Sequence, residues 1–442
     1  MSGVSRRGLL KLTAAGVAGT ALGGLGLTGC SGVGGSVATG GGKTTLRYGF
    51  WGNSTRQQHY TKALKDFGQS HSDISVQTEF AEYDAFQERM TTQMAAKSVP
   101  DVFWIASPQV LTYAKNHLYH DLSGLDQLKL SDYSSEELDS FKLDGKLNTI
   151  PFGIYVPVMR YNASFAEQDG VTIPEDGDKG YSWDGFAEFL TDYSKHNKHG
   201  RKGLPYVPDA DLPFEGWLRQ RGEQLWTADG QPGFSADGLA AWFDWWQKLR
   251  KSDAVLTRSE QEGMGPDWEI FGKKVLANLD NSNHIVGEAP VFPESTFKLR
   301  HLPADADAAD GYHYFYYPRM ALYAGTDKAK IEAAATLIDY NVNQTTMLKT
   351  VGLDLGAPPN ARVAEEAKAF ANKDEQEMLR VVAEDRAQKR NPRYESPAGA
   401  NNWRTIMTRI AEAIDLGNTT TTKGARQMIS EIKTAIDRAS NQ

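Results

Sequence analysis

The order of the first five predicted elements constrains the fold of this chain more than any other feature. A run at 44–52 alternates like a strand and ends on glycine, and 57–70 carries apolar residues at helical spacing. A second alternating strand at 74–80, a helix at 86–96 and an apolar strand at 100–105 follow. Because the order β-α-β-α-β requires crossover connections, these residues predict a parallel sheet flanked by helices.

The carboxyl ends of these predicted strands lie at 51–54, 81–83 and 106–109. In an open α/β sheet, ligands bind in the crevice outside the carboxyl ends of the strands. These three short segments are therefore the first places to expect functional side chains.

Composition narrows the class of protein. With 442 residues, of which 40% are hydrophobic and 24% are charged, the chain has material for more than one globular core. The net charge of −8 offers no basic excess to a nucleic acid, so we expect no nucleic-acid partner. A single cysteine excludes an internal disulfide and a cysteine-based zinc site.

Residues 1–29 have the composition of a secretory signal peptide. Arg6 and Arg7 lie in a positively charged segment, and 12–27 is an apolar run, rich in glycine and alanine, without a charge. This arrangement predicts export and removal of the segment. The adjacent arginines and the weak hydrophobicity favour the twin-arginine route over the Sec route.

The single cysteine, Cys30, directly follows this apolar run in the sequence Leu-Thr-Gly-Cys. That pattern is typical of a bacterial lipobox, in which the cysteine is acylated and becomes the first mature residue. An ordinary free or buried thiol is the alternative. Residues 30–43 are predicted to be a lipidated cysteine and a flexible glycine-rich tether, which would hold the protein at the extracellular face of the cell membrane.

Several segments beyond the tether together resemble one family. Leu46–Asn53, the pair Glu82 and Tyr83, and Thr91–Val102 resemble the maltose-binding-like, carbohydrate-binding solute-binding proteins of ABC importers. Later landmarks agree in order, and they are Ser182–Asp184, Phe271–Lys274, Gly352–Pro359 and Trp403. The resemblance covers essentially 44–440.

The resemblance implies an α/β, two-lobed periplasmic-binding-protein type II fold, each lobe a mostly parallel sheet flanked by helices. Three hinge crossings are expected near 153–157, 314–318 and 355–358. The N-terminal lobe would comprise 44–154 and 317–356, and the C-terminal lobe 155–316 and 357–442. A monomer would capture carbohydrate between the lobes, close around it, and deliver it to the permease subunits of an ABC transporter.

The resemblance also implies ligand contacts at the strand ends, in the first crossing, in the second lobe and at a late tryptophan. These are Trp51, Asn53, Glu82, Tyr83, Ser107, Gln109, Tyr155, Phe214, Glu215, Trp217, Asn281, Ser282, Asn283 and Trp403. The residue types suit a sugar, whose apolar C–H faces stack on aromatic rings and whose hydroxyls need amide and carboxylate partners. For each aromatic residue, packing in the core is the alternative.

The competing hypothesis is a secreted, lipid-anchored glycoside hydrolase, with Glu82 and Glu215 as its carboxylate pair. No G-x-S-x-G, H-E-x-x-H or P-loop motif occurs in the sequence. The histidine pairs His117/His120 and His196/His199 have a spacing that suits a metal but lack a suitably spaced carboxylate, so we expect solvated surface. The sequence therefore favours a binding protein without catalytic activity, cofactor or metal.

Overall fold

The structure is a computed structural model that describes residues 42–262 and 273–441. The predicted signal peptide, Cys30 and most of the predicted tether lie outside the described residues. Among the described residues, no helix combines the length and the apolar character that crossing a bilayer requires.

The described strands fall into a five-stranded sheet, a three-stranded sheet and a small hairpin. They are β1 (Thr44–Trp51), β2 (Ile74–Ala81), β3 (Val102–Ile105), β4 (Lys142–Leu143), β5 (Lys146–Leu147), β6 (Ile150–Pro151), β7 (Pro157–Asn162), β8 (Ala277–Asn281), β9 (Phe297–His301) and β10 (Arg319–Leu322). The two larger sheets lie in different lobes.

Helices flank both of the larger sheets. They are α1 (Ser54–Ser70), α2 (Tyr83–Ala95), α3 (Val110–Lys115), α4 (Ser135–Ser140), α5 (Ala163–Asp169), α6 (Trp183–His196), α7 (Asp211–Gln220), α8 (Ala236–Lys251), α9 (Arg258–Gln261), α10 (His284–Glu288), α11 (Ile331–Asn343), α12 (Thr345–Val351), α13 (Ala361–Ala367), α14 (Lys373–Arg386), α15 (Trp403–Asp415) and α16 (Thr421–Ser440).

The first lobe is built on the five-stranded sheet, in the order β2-β1-β3-β10-β6. Strand β1 pairs in parallel with both β2 and β3, which confirms the prediction from the β-α-β-α-β pattern. Strand β10 enters from much later in the chain and pairs antiparallel with β3 and with β6. Its apolar residues complete a core that also contains Leu46, Tyr48 and Phe50.

The second lobe differs from the expectation of a mostly parallel sheet. Its three strands run in the order β8-β7-β9, and β7 is antiparallel to both neighbours. The outer strands are therefore parallel to each other, with helix α10 in the connection between them, and β7 lies in between. Pro157 is tolerated in this central strand because it is the first residue. Among the described residues of this lobe, parallel pairing is limited to isolated bridges at Lys202 and Leu204.

Three segments of chain cross between the lobes and are hydrogen-bonded to one another. The Ile154 and Ala357 backbones exchange two hydrogen bonds of 2.8 Å, and those of Tyr155 and Tyr316 exchange bonds of 3.1 and 2.9 Å. Gly356 has φ +104°, and a Cβ there would lie 2.2 Å from the Ile154 carbonyl oxygen. The crossings therefore approach more closely than a side chain at this position would allow.

Candidate ligand-binding cleft

A cleft with a cavity volume of about 630 Å³ lies between the two lobes, at the carboxyl ends of β1 and β3. The first lobe contributes Trp51, Arg56, Tyr83 and Asp84, together with the segment 105–108. The crossings contribute Tyr155 and Tyr316 to the floor. The second lobe contributes the segments 209–213 and 278–281, Asn283, His284 and Arg404.

Aromatic rings form one wall and the floor of the cleft. Trp51 packs edge-on against Tyr83, with ring centroids 5.6 Å apart, and also against the buried Trp104 at 5.2 Å. Tyr83 is 39% exposed, so its ring is available to a ligand. On the floor, the rings of Tyr155 and Tyr316 are stacked at 5.8 Å. These rings offer flat apolar faces with polar edges.

Charged side chains also line the cleft. Arg56 donates from Nε to Asp354 Oδ2 at 2.8 Å, and Arg404 Nη1 lies 3.7 Å from Asp211 Oδ2. Asp209 accepts a hydrogen bond of 2.7 Å from the Thr408 hydroxyl. The cleft thus combines ring faces with carboxylates and paired guanidinium groups.

Asp280 is the most completely bonded carboxylate of the cleft. It accepts hydrogen bonds from the Asn281 backbone at 2.8 Å and from Asn278 at 2.9 Å, and it lies 2.9 Å from His284 Nδ1 and 3.2 Å from Arg160 Nη1. Burial acts to raise the pKa of Asp280, but His284 and Arg160 outweigh it and hold that pKa well below its usual range. Asp280 is therefore a fixed negative charge.

Six of the residues predicted from the sequence line this cleft. They are Trp51, Tyr83, Ser107, Tyr155, Asn281 and Asn283. Two of them also bond across the molecule: the Ser107 hydroxyl donates to Glu395 Oε2 at 2.7 Å, and Asn283 Nδ2 donates to the Asp354 carbonyl at 2.6 Å. Trp51, Tyr83 and Ser107 lie at the cleft because a strand terminus is held at the edge of its sheet, and their contact with a ligand stays a prediction.

Four polar residues expected at the ligand do not line the cleft. Asn53 caps α1 by accepting the Arg56 backbone N–H at 3.0 Å, and Ser282 is fully buried, with its hydroxyl accepting the Val156 N–H at 3.1 Å. Glu82 is exposed immediately before α2, and Gln109 ends a short turn beyond the strand end. Local backbone groups satisfy the first two side chains, so those two serve the fold.

The second-lobe aromatic residues are also placed elsewhere. Phe214, Trp217 and Trp403 are buried in the second-lobe core, and Trp403 is only 2% exposed. Trp242 of α8 lies 5.7 Å from Phe214 and 5.5 Å from Trp217 by ring centroids. The expectation that these rings face the ligand is corrected here, because burying them against α8 removes large apolar surfaces from water.

Glu215 is likewise corrected from a cleft residue to a structural ion pair. Its side chain is buried and accepts two hydrogen bonds from Arg393, at 2.9 and 3.2 Å. Arg393 in turn lies over the Tyr316 ring at 4.0 Å and 3.5 Å from Glu395. The buried ion pair of Glu215 and Arg393 therefore packs against the crossing that contains Tyr316, on the side away from the ligand cleft lining.

The sequence-based prediction missed the charged residues of the cleft. Arg56, Asp84, Asp209, Asp211, Asp280 and Arg404 all line it. Two features of the sequence could have indicated them. Arg404 directly follows Trp403, which was predicted as a ligand contact, and Asp211 begins the helix that contains Phe214. Within the described part of the chain, no cluster of histidine, cysteine and carboxylate residues is arranged to hold a metal ion.

Two α/β lobes, three crossings and a cleft between the lobes define the two-lobed fold of the periplasmic binding proteins. The sequence matches the model of the bacterial extracellular solute-binding protein family over residues 62–377. The chain belongs to this family, and it is therefore an exported protein.

Individual relatives agree with this assignment. The chain is similar to the diacetylchitobiose binding protein DasA of Streptomyces coelicolor, with 27% identity over 213 residues, which are 47% of this chain and 48% of the relative. The match thus spans about half the length of that relative.

Solved structures share the fold. A periplasmic oligogalacturonide binding protein from Yersinia enterocolitica matches with a TM-score of 0.78 and 19% identity, covering 89% of this chain and 99% of that chain. The GacH receptor of Streptomyces glaucescens matches with a TM-score of 0.74 and 16% identity, covering 89% of this chain and 99% of that chain.

Proposed function

We propose that this protein is the substrate-binding component of an ABC sugar importer, which captures a mono- or oligosaccharide between its lobes and delivers it to the permease. The observation that carries the proposal is the cleft itself, where Trp51, Tyr83, Tyr155 and Tyr316 face amide and carboxylate groups. A pyranose needs both, because its C–H faces are apolar and its hydroxyls must be hydrogen-bonded when water is removed. The ligands described for the relatives support a sugar: diacetylchitobiose for DasA, oligogalacturonide for the Yersinia enterocolitica protein, and acarbose, with which the GacH receptor was solved in complex.

Capture would proceed by hinge closure. The proposed rigid bodies are 44–154 with 317–356, and 155–316 with 357–442, rotating about the hydrogen-bonded crossings. The two sheets support this division, because β1, β2, β3, β6 and β10 all lie in the first pair of ranges and β7, β8 and β9 all lie in the second. Ligand at saturating concentration should reduce the radius of gyration in small-angle scattering.

A glycoside hydrolase is not favoured by the placement of its candidate carboxylates. Glu215 is buried and bonded to Arg393, and Glu82 is exposed outside the cleft lining. Neither lines the cleft, so they do not flank a common bond there. We accordingly propose that the saccharide is bound and released unchanged, by a protein that needs no cofactor.

Cys30 is proposed to anchor the exported protein through acyl chains at the outer face of the membrane, where a monomer would meet the permease subunits of its transporter. Changing Cys30 to Ala should release the protein into the medium. If that variant still sediments with membranes after a high-salt wash, the anchor hypothesis is wrong.

The function is tested by a thermal-shift screen of the domain from residue 44 onward against mono- and oligosaccharides, followed by calorimetry. A true ligand raises the melting temperature because it binds only the folded state. The saccharide should be recovered intact by chromatography after prolonged incubation. Release of shorter products would instead establish hydrolysis, and a panel without any stabilising saccharide would overturn the proposal.

A further inference from the structure

The charges of the cleft are strongly asymmetric. Its lining contains four carboxylates, from Asp84, Asp209, Asp211 and Asp280, but only two guanidinium groups. Both guanidinium groups are already paired, Arg56 with Asp354 at 2.8 Å and Arg404 with Asp211 at 3.7 Å. Asp280 is likewise bonded to Arg160 and His284, which leaves Asp84 and Asp209 as the lining carboxylates without an ion pair among the described residues. A ligand therefore meets an excess of carboxylates, and both guanidinium groups of the lining already have a carboxylate partner.

Asp211 also occupies the position in the cleft where an anion would otherwise be favoured. It lies in the first turn of the ten-residue helix α7, and residues 210–213 of that turn line the cleft. The N-terminus of a helix attracts negative charge through its free N–H groups and its dipole. Here the protein supplies that charge itself, so a ligand carboxylate gains nothing from the helix.

The remaining carboxylates of the cleft, Asp280 in the second lobe and Asp84 in the first, give a ligand carboxylate no better partner. Asp280 is already bonded to Arg160, His284 and Asn278, so these groups are engaged before a ligand arrives. Asp84 is exposed at the start of α2 and forms no ion pair within the described residues. An acidic sugar would therefore bring its charge close to several carboxylates in a partly dehydrated space, where repulsion is stronger than in water.

We propose that this cleft selects saccharides without carboxylate groups and that Asp211, with Asp209, is the determinant that rejects uronic acids. The inference rests on the proposed function and specifies its substrate class. It separates this protein from its structural relative from Yersinia enterocolitica, which is described in complex with saturated digalacturonic acid on the same fold. The distinction would therefore reside in cleft side chains and not in the architecture.

The test compares affinities for digalacturonic acid and for a neutral panel that includes diacetylchitobiose, using calorimetry on the domain from residue 44. We expect the best neutral saccharide to bind at least ~10-fold more tightly than digalacturonic acid. Raising the salt concentration should narrow that difference, because added ions screen the repulsion.

The matched variants are Asp211→Asn and Asp237→Asn. Asp237 lies in the first turn of α8, as Asp211 does in α7, but it is outside the cleft lining. Asp211→Asn removes the partner of Arg404, so the affinity for digalacturonic acid should rise ~5- to 10-fold. Asp237→Asn removes the same charge from the chain and should leave both affinities unchanged.

Three outcomes overturn the inference, and they are distinguishable. Digalacturonic acid binding more tightly than every neutral saccharide would reject the charge selection while supporting the proposed function. An equal gain in Asp211→Asn and Asp237→Asn would show that net charge, and not the cleft, controls acid binding. A folded protein that binds no saccharide, neutral or acidic, would overturn the proposed function together with this inference.

Discussion

In the first lobe, Trp51 ends β1 and Tyr83 begins α2 just beyond β2, and both reach the cleft, whereas in the second lobe Trp217 of α7 and Trp403 at the start of α15 pack into the core. The second lobe instead presents Asp211 and Arg404 to the cleft. Both lobes thus contribute charges, since Arg56 and Asp84 also line the cleft, but the rings of the cleft wall come from the first lobe.

The difference follows from the two kinds of secondary structure. A strand end lies at the edge of its sheet, so residues just beyond it lie at the sheet edge whatever their type. Neighbouring residues on a helix point about 100° apart, so Trp403 can face the core while Arg404 faces the cleft. An aromatic residue in an amphipathic helix is therefore a weaker indicator of a ligand site than one at a strand end.

The largest effect should come from Trp403→Ala. Removing a buried indole from the second-lobe core should destabilise the protein by about 3–5 kcal/mol, through lost burial and the cavity that remains. The folded fraction should still bind saccharide with normal affinity. Chemical denaturation and calorimetry measure the two quantities, with Trp403→Phe as a control that restores part of the stability. Weakened binding at a near-normal melting temperature would place Trp403 at the ligand after all.

Trp51→Ala should have the opposite signature. Loss of this ring from the cleft wall should weaken saccharide binding by about 1–3 kcal/mol, which corresponds to roughly 5- to 150-fold in Kd. The stability cost should be smaller than that of Trp403→Ala, because Trp51 is only partly buried. If Trp51→Ala instead lowers the melting temperature strongly and leaves the affinity unchanged, Trp51 is a core residue like Trp403, and the proposed difference between the two lobes is wrong.

Raising the pH should lower the free energy of unfolding through His301 of the second lobe without changing the saccharide affinity of the cleft. Burial acts to lower the pKa of His301, but hydrogen bonds to Asp176 and Asp385 raise it to about 10. Because this folded-state pKa lies above that of a free histidine, the stabilisation is complete below about pH 6.5 and is lost as the pH rises toward 10.

We expect the free energy of unfolding to fall by about 1–2 kcal/mol between pH 7 and pH 9. His301→Gln should flatten that dependence, whereas His196→Gln should not, because the His196 side chain is 72% exposed on α6. Saccharide affinity should stay constant over the same range. An unchanged pH profile in His301→Gln would show that other groups control this stability.

The smallest effect is expected for Ser107→Ala, which removes the 2.7 Å hydrogen bond to Glu395 between the lobes. Losing this hydrogen bond should cost about 1 kcal/mol of the interaction between the lobes, because Glu395 keeps its ion pairs with Arg319 and Arg393. Saccharide affinity should fall several-fold, and Ser123→Ala, an exposed site outside the cleft, serves as the control. Equal affinities of the two variants would exclude a role of this bond in capture.

Much of the first lobe was predictable because its information is local. Alternating and helical spacing between 44 and 105 predicts β1, α1, β2, α2 and β3 in the correct order. The strand ends then indicate Trp51, Tyr83 and Ser107. Asn53 shows the limit of this reasoning, since the same position before a helix is also an ordinary N-cap.

The amino-acid sequence by itself determined the alternation of strands and helices in the first lobe and, through the joint order of its landmarks, the family. Only the tertiary structure decided that β10 completes the first sheet, that β7 is antiparallel in the second, and that Arg56 is neutralised by Asp354, 298 residues away. The spacing of apolar residues predicts which face of a helix or strand is buried. It does not predict which element, distant in the sequence, packs against that face. Charge pairing across the cleft depends on that second kind of information, and so does the choice between core and ligand for each aromatic ring.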